Sequence, residues 1–176
     1  LRLKLNYRNS PAQTANEPDF YVVDSSAELY IPMLDNDTLA LNYYQSSAFV
    51  TQPGETDPTT IRNELGFNCN PLDSACLQAE QELVDTFINQ RRNGTASSLG
   101  GNNRLRSYPM SRFQGAHMAF IGAEYRMNFV RDAKPFDYFI WKDVTTSLQL
   151  ALFAEMGTVA ERRDSLWDEQ RVSYGI

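Results

Sequence analysis

Long stretches in which apolar and polar side chains alternate constrain the fold of this chain more than any other feature. In residues 115–130 one face carries His117, Ala119, Ile121, Ala123, Tyr125, Met127 and Phe129. The opposite face carries Met118, Phe120, Gly122, Glu124, Arg126 and Asn128. Residues 20–32, 38–50 and 147–157 repeat the pattern, less cleanly in 38–50. Because a period of two is that of a β-strand, the pattern predicts an all-β fold with long antiparallel strands, each apolar on one face and polar on the other.

The predicted strands are about ten to sixteen residues long, against about five or six in ordinary sheets. Long strands with one apolar and one charged face predict a transmembrane β-barrel with a polar lumen. A soluble sandwich or a lipocalin-like barrel is the alternative. The chain has no apolar run of about twenty residues, which excludes a transmembrane helix. Since strand patterns occupy residues 1–5 and 172–176, we interpret the whole of residues 1–176 as part of one barrel domain with about six strands.

Charge and residue counts exclude several classes of function. The net charge of −6 and the lack of a basic stripe argue against a nucleic-acid partner. With His117 as the single histidine, a multi-histidine metal site is excluded, and we predict no metal and no cofactor. Residues 35–37 are explained by a tight turn rather than by calcium. Glu124 and Glu155 as a glycosidase pair would need further support that the sequence lacks.

Residues 51–103 lack the alternation, and we predict a long loop insertion over residues 51–114 that has its own structure. Residues 75–92 have a helical apolar stripe, with Asp73 or Ser74 as the N-cap and Gly94 after the C-terminus. Cys69 and Cys76 flank the start of this helix. A disulfide is the expected pairing in an exported protein, and redox chemistry is the alternative in a cytosolic one.

Residues 99–129 carry a set of motifs in a fixed order. They are Gly100-Gly101, Leu105-Arg106-Ser107-Tyr108, Arg112-Phe113 and Gly122-Ala123-Glu124, followed later by Phe153-Ala154-Glu155-Met156-Gly157 and Ser173-Tyr174-Gly175. This order resembles the bacterial surface-antigen superfamily, the BamA/TamA type of outer-membrane assembly and translocation barrels. In that family a glycine pair precedes a (V/L)-R-G-(F/Y) loop tip, and a G-x-E strand and an F-x-(D/E)-x-G-x-V strand follow. The family's glycine after the arginine is Ser107 here, so the tip is expected to be strained if that position needs a positive φ.

The resemblance implies that the loop folds back into the barrel lumen. By strand parity Glu124 and Glu155 point to that same side, so we predict that Arg106 is held between them. The alternative is a solvated Arg106, with Glu124 paired to Arg126 or facing water.

The resemblance also implies a function. It implies a sixteen-stranded barrel in the bacterial outer membrane that contacts outer-membrane lipid and inserts or translocates polypeptides without catalysing a reaction. Its partners would be polypeptide clients or other outer-membrane and periplasmic proteins. The alternatives are a barrel that serves as an anchor or plug for a fused or partner domain, and a soluble ligand-binding barrel. Residues 160–168 and 9–18 would then be extracellular, and residues 33–37 and 131–141 periplasmic. The aromatic side chains at 136, 138, 139 and 141 form either an interfacial girdle or a small loop core.

Overall fold

The computed structural model describes residues 1–33, 37–129, 134–145 and 148–176. Within this part of the chain, the main element is one open, six-stranded antiparallel sheet whose strands follow the order β1-β2-β3-β4-β7-β8. These strands are β1 Arg2–Ser10, β2 Asp19–Pro32, β3 Thr38–Gln52, β4 His117–Asn128, β7 Gln149–Ala160 and β8 Arg171–Gly175. The all-β prediction and its six strands are therefore confirmed. Strand β1 ends five residues beyond the pattern in residues 1–5, and the ends of the other strands differ by up to three residues. The predicted ends at residues 130 and 147 lie outside the described residues.

The register of the sheet separates its two faces. One row of paired residues crosses all six strands with almost entirely apolar side chains: Leu3, Ala27, Tyr43, Ile121, Met156 and Val172. Neighbouring rows on the other side of the sheet include Lys4, Asn6, Asp24, Ser26, Glu28, Asn42, Ser46, Glu124, Arg126, Glu155 and Ser173. We call these the apolar face and the polar face.

Much of the apolar face is open. Leu5 is 75% exposed and Ile121 is 44% exposed, and the further exposed apolar side chains on this face include Leu3, Tyr7, Leu29, Leu41, Leu152, Val172 and Tyr174. An apolar surface that crosses six strands is larger than a monomeric soluble protein ordinarily exposes. The core of the described structure lies instead on the polar face, under a loop.

One end of that apolar face departs from the sequence expectation. Ala119 was expected to be exposed there, but it is completely buried. Its cross-strand neighbour Thr158 hydrogen-bonds through its hydroxyl to the main-chain carbonyl oxygens of Leu166 and Glu169. The β7–β8 connection is therefore bonded to this end of the apolar face at Thr158, beside the buried Ala119. His117, on the same face, is also buried and packs edge-on to Phe49, with 6.0 Å between ring centroids.

Three of the five connections between neighbouring strands of the sheet, β1–β2, β3–β4 and β7–β8, leave it at the same end. The longest, residues 53–116, contains helices α1 Pro58–Leu65 and α2 Ser74–Asn93. Helix α2 agrees with the predicted 75–92, and its N-cap is Asp73, whose side chain accepts a hydrogen bond from the main-chain nitrogen of Cys76. The Cys69–Cys76 disulfide is present and joins the α1–α2 connection to the first turn of α2.

Helix α1 was missed by the sequence analysis, although its signals are present. Asp57 caps it by accepting from the main-chain nitrogen of Thr60, Pro58 begins it, and Gly66 ends it with φ of 66°. At eight residues the helix is too short to show a clear apolar period. Ile61 is its buried contact, and salt bridges Arg62–Glu80 and Arg91–Glu64 join it to α2.

At the opposite end of the sheet, the β4–β7 connection contains a two-stranded hairpin that the sequence analysis did not predict, with β5 Phe136–Tyr138 and β6 Trp141–Val144. Phe139 is 96% exposed and Trp141 is also largely exposed, which contradicts a small aromatic loop core at these two positions. Residues 34–36 of the predicted 33–37 turn and residues 131–133 of the predicted 131–141 connection lie outside the described residues. No helix in the described ranges is long and apolar enough to cross a membrane.

Candidate functional site

Residues 95–116, which follow α2, form a loop that returns over the polar face; we call it the motif loop. Its two limbs pair at the base, where Leu99 and Phe113 exchange main-chain hydrogen bonds of 2.9 and 3.1 Å and Ala96 donates to the carbonyl of Gly115. Gly100 and Gly101 then turn the chain with φ of 105° and 101°. A Cβ on Gly100 would lie 2.2 Å from the carbonyl oxygen of Pro109, so this position requires glycine.

The motif loop packs on the sheet through a small apolar core. Leu99 and Leu105 are fully buried against Met118 and Phe120 of β4. A Cβ on Gly157 would lie 2.8 Å from the Cδ1 of Leu99, so the glycine leaves the space that the loop occupies. The parity of β4 thus puts Met118 and Phe120 on the polar face, where the loop covers them.

Arg106, at the tip of the loop, lies between Glu124 and Glu155. Its Nε donates to Oε1 of Glu155 at 2.6 Å, and its Nη1 is 2.7 Å from Oε2 of Glu124. Its main-chain nitrogen also donates to Oε2 of Glu155 at 2.8 Å. Arg126 donates from Nε to the second oxygen of Glu124 at 2.6 Å. We call these four residues the Arg106 cluster; its two positive and two negative charges balance.

Glu124 binds Arg106 and Arg126 at the same time, so it makes both of the contacts that the sequence left open for it, whereas Arg106 is ion-paired and is not a solvated loop residue. The Glu155 side chain is only 3% exposed, whereas that of Arg106 is 30% exposed. The Arg106 guanidinium also stacks on Phe153, with 3.7 Å from Cζ to the ring centroid. Burial alone would lower the pKa of Arg106, but the hydrogen bonds to Glu155 and Glu124 outweigh it and raise the pKa above its usual range.

Ser107 does not have a positive φ, so the condition under which it would strain the loop tip is not met. The left-handed residue is Leu105, with φ of 55°. Ser107 donates from its main-chain nitrogen to the hydroxyl of Ser173 at 3.0 Å, and its own hydroxyl accepts from Ser173 at 2.9 Å. A glycine at this position would lack the hydroxyl that accepts the hydrogen bond from Ser173.

The remaining motif residues line the same loop. Tyr108 and Phe113 make an edge-on contact with 5.1 Å between ring centroids, and Arg171 lies 5.6 Å above the ring of Phe113. Arg112 is exposed and makes a main-chain turn with Pro109. Gly122 leaves room for the ring of Phe120, which would be 3.0 Å from a Cβ there.

Sequence reasoning missed the partners of two residues. Arg104 stacks on Tyr44 of β3, with 3.6 Å from its Cζ to the ring centroid. Ser173 of β8 was assigned only as part of a strand motif. Neither contact could be predicted, because both pair residues at least sixty positions apart, and whether they meet depends on how the loop lies on the sheet.

Between the loop tip and β1–β4 the polar face encloses a cavity of about 440 Å³. Its lining includes Lys4, Asn6, Glu28, Tyr44, Asn102 and Arg104, together with the Arg106 cluster. Glu124 and Glu155 are both ion-paired with Arg106, and these contacts hold the motif loop on the sheet. Over the described parts of the chain, no group of three or more histidine, cysteine, aspartate or glutamate side chains could hold a metal ion.

The motif residues that suggested the family resemblance thus gather at one place. The glycine pair shapes the loop, Leu105 buries its tip, and Arg106 contacts glutamates from two strands. Comparison of the chain with protein-family models, with curated proteins and with solved structures finds no match.

Proposed function

We propose that this chain is part of a transmembrane β-barrel in the bacterial outer membrane, of the BamA/TamA type that its motifs resemble. In this proposal the apolar face contacts lipid, the polar face lines the lumen, and the motif loop lies inside the lumen. The protein would insert or translocate polypeptides and would not catalyse a chemical reaction.

The distribution of exposure supports the membrane assignment. Leu3, Leu5 and Ile121 are exposed on one face, while Asp24 and Glu155 are buried on the other. A soluble protein would gain free energy by the opposite arrangement, at about 25 cal/mol for each Å² of apolar surface removed from water. A lipid environment removes this conflict, because exposed apolar side chains are then in an apolar solvent.

Strand length supports it as well. Strands β4 and β7 have 12 residues each, and β2 and β3 have 14 and 15. At about 3.3 Å per residue, 12 residues extend about 40 Å. With the tilt of about 45° that such strands have, this length crosses a hydrocarbon layer of about 30 Å.

The observation that carries the proposal is the attachment of the motif loop to the polar face by Arg106. A buried carboxylate holds this loop on one side of the sheet, and the open apolar surface lies on the other side. This arrangement fits a sheet whose polar side faces a lumen and whose apolar side faces lipid. Polypeptide handling itself is taken from the family resemblance.

The membrane assignment is tested with adjacent cysteines on opposite faces. Leu41 and Asn42 are neighbours in β3 and both are exposed; the register puts the Leu41 side chain on the apolar face and the Asn42 side chain on the polar face. In the full-length protein in its native membrane, Leu41→Cys should resist a membrane-impermeant maleimide, and a fluorophore there should be quenched by brominated lipid. Asn42→Cys should react with the maleimide and escape quenching.

The two native cysteines form a disulfide and do not compete for the label. Leu29→Cys and Glu28→Cys repeat the comparison in β2, where the same two faces alternate. Equal water access at Leu41→Cys and Asn42→Cys would overturn the membrane assignment.

Polypeptide handling needs a separate test. Liposomes that contain the full-length protein should take up an unfolded outer-membrane protein faster than protein-free liposomes do. Equal uptake rates, in a protein whose labelling pattern supports the barrel, would contradict the assembly function and leave the barrel itself in place.

A further inference from the structure

The base of the motif loop contacts the polar face at a place about which the motifs say nothing. Ser97, close to the paired limbs, meets Asp24 of β2 and Ser46 of β3. Asp24 is 6% exposed although it is charged, and it lies on the part of the sheet away from β7 and β8. A buried carboxylate is tolerated only where its oxygens are hydrogen-bonded or ion-paired.

The Asp24 carboxylate accepts hydrogen bonds from two hydroxyl groups and is ion-paired with an arginine. The hydroxyl of Ser46 donates to it at 2.6 Å and that of Ser97 at 3.3 Å. Arg8 of β1 lies 3.2 Å away through Nη2. The main-chain nitrogen of Ser97 donates to the hydroxyl of Ser46 at 3.0 Å, so the loop is bonded to this site through its main chain as well.

Ser97 uses its whole hydrogen-bonding capacity here. A hydroxyl has one donor and two acceptor lone pairs. The hydroxyl of Ser97 donates to Asp24, accepts from Arg8 at 2.8 Å and accepts from Tyr44 at 3.1 Å. Strands β1, β2 and β3 therefore all reach one side chain at the base of the loop.

We propose that Asp24 is a positioning residue that anchors the base of the motif loop to β1–β3, separately from the Arg106 cluster that anchors its tip to β4 and β7. With Ser107 bonded to Ser173 of β8, each of the six strands contributes a side chain to the loop. The motif loop then contacts all six strands of the sheet. Asp24 restrains the base of the loop, and the Arg106 cluster restrains its tip. Its role in a lumen rests on the proposed function, whereas the anchoring itself does not.

Hydrogen exchange of the full-length protein in detergent, followed by mass spectrometry, separates the two anchors. One peptide should cover the base at residues 95–99 and another the tip at residues 104–108. Asp24→Asn should speed exchange at the base by about tenfold or more, because the ion pair with Arg8 is lost and the remaining hydrogen bonds are to a neutral amide oxygen, and it should leave the tip unchanged. Arg106→Ala should do the reverse.

A second pair of variants guards against a loss of folding in Asp24→Asn. Ser97→Ala removes the hydroxyl alone and should speed exchange at the base, whereas Ser97→Thr keeps the hydroxyl and should restore protection. A peptide from β4 is the control and should stay protected in all of them. Unchanged exchange at the base in Ser97→Ala, or equal acceleration at base and tip in either single variant, would overturn the proposal. The measurement needs no lipid, so a failure of the membrane assignment in the labelling experiment would leave its result interpretable.

Discussion

Replacing Arg106 with alanine should weaken the protein mainly through Glu155. Glu124 keeps Arg126 as a partner at 2.6 Å when Arg106 is removed. Glu155 loses the guanidinium that is 2.6 Å away, and its side chain is only 3% exposed. The variant therefore leaves a carboxylate buried without its cation, and that is the costly outcome for a buried ion pair.

The size of the effect follows from burial. Removing one partner of a fully buried pair costs about 3–5 kcal/mol, and a solvated pair is worth about 0–1 kcal/mol. Because the Arg106 side chain is 30% exposed, water screens part of the interaction. We expect Arg106→Ala to lower the free energy of unfolding by about 2–4 kcal/mol, between those limits.

The assay is guanidinium unfolding of the full-length protein in detergent, followed by tryptophan fluorescence. Arg92→Ala is the matched control, since Arg92 is exposed at the end of α2 and its loss removes the same charge. Arg104→Ala is unsuitable as a control because Arg104 stacks on Tyr44. Arg106→Lys should recover only part of the loss, because an ammonium lacks the planar fork that reaches both glutamates.

A double variant tests whether the loss of stability in Arg106→Ala comes from the unpaired Glu155 carboxylate. If the deficit comes from an unpaired carboxylate, Arg106→Ala combined with Glu155→Gln should be more stable than Arg106→Ala alone by about 1 kcal/mol or more. Equal stability of the single and double variants, or equal effects of Arg106→Ala and Arg92→Ala, would refute the reasoning.

Three further predictions concern other parts of the structure. Gly157→Ala should lower the unfolding free energy by about 1–3 kcal/mol, because the new methyl group would collide with Leu99; an unchanged guanidinium midpoint would contradict this. Replacing both cysteines with serine should cost about 2–3 kcal/mol locally, seen as faster protease cleavage beside α2 with the sheet unaffected. The hydrogen bond from Arg91 lowers the pKa of Glu64, so the attachment of α1 to α2 is fully present above the ordinary value of 4.5 and weakens as the pH falls below it. Faster amide exchange in α1 below that pH should disappear in Glu64→Gln, and exchange that rises equally in both proteins would contradict the assignment.

Local physics made much of this protein predictable. The alternation in residues 117–128 fixes which side chains share a face, because a strand has a period of two whatever it packs against. Helix α2 and its Asp73 cap were predictable for a similar reason, since the cap bond and the apolar stripe lie within a few residues of each other. The motif order around Arg106 pointed to Glu124 and Glu155 as its partners, and the distances agree with that pairing.

Contacts between distant segments were decided only by the tertiary structure. Ala119 has the parity of an exposed residue, yet it is buried beside Thr158, to which the β7–β8 connection is bonded. A positive φ was considered for Ser107, but it occurs two residues earlier, at the buried Leu105, with φ of 55°. Asp24 and Ser97 are 73 residues apart, and no local pattern relates them. The alternation of side chains along a strand depends only on adjacent residues, so the sequence determines which face each side chain is on. The surface that a loop covers depends on contacts between distant segments, so only the tertiary structure determines it.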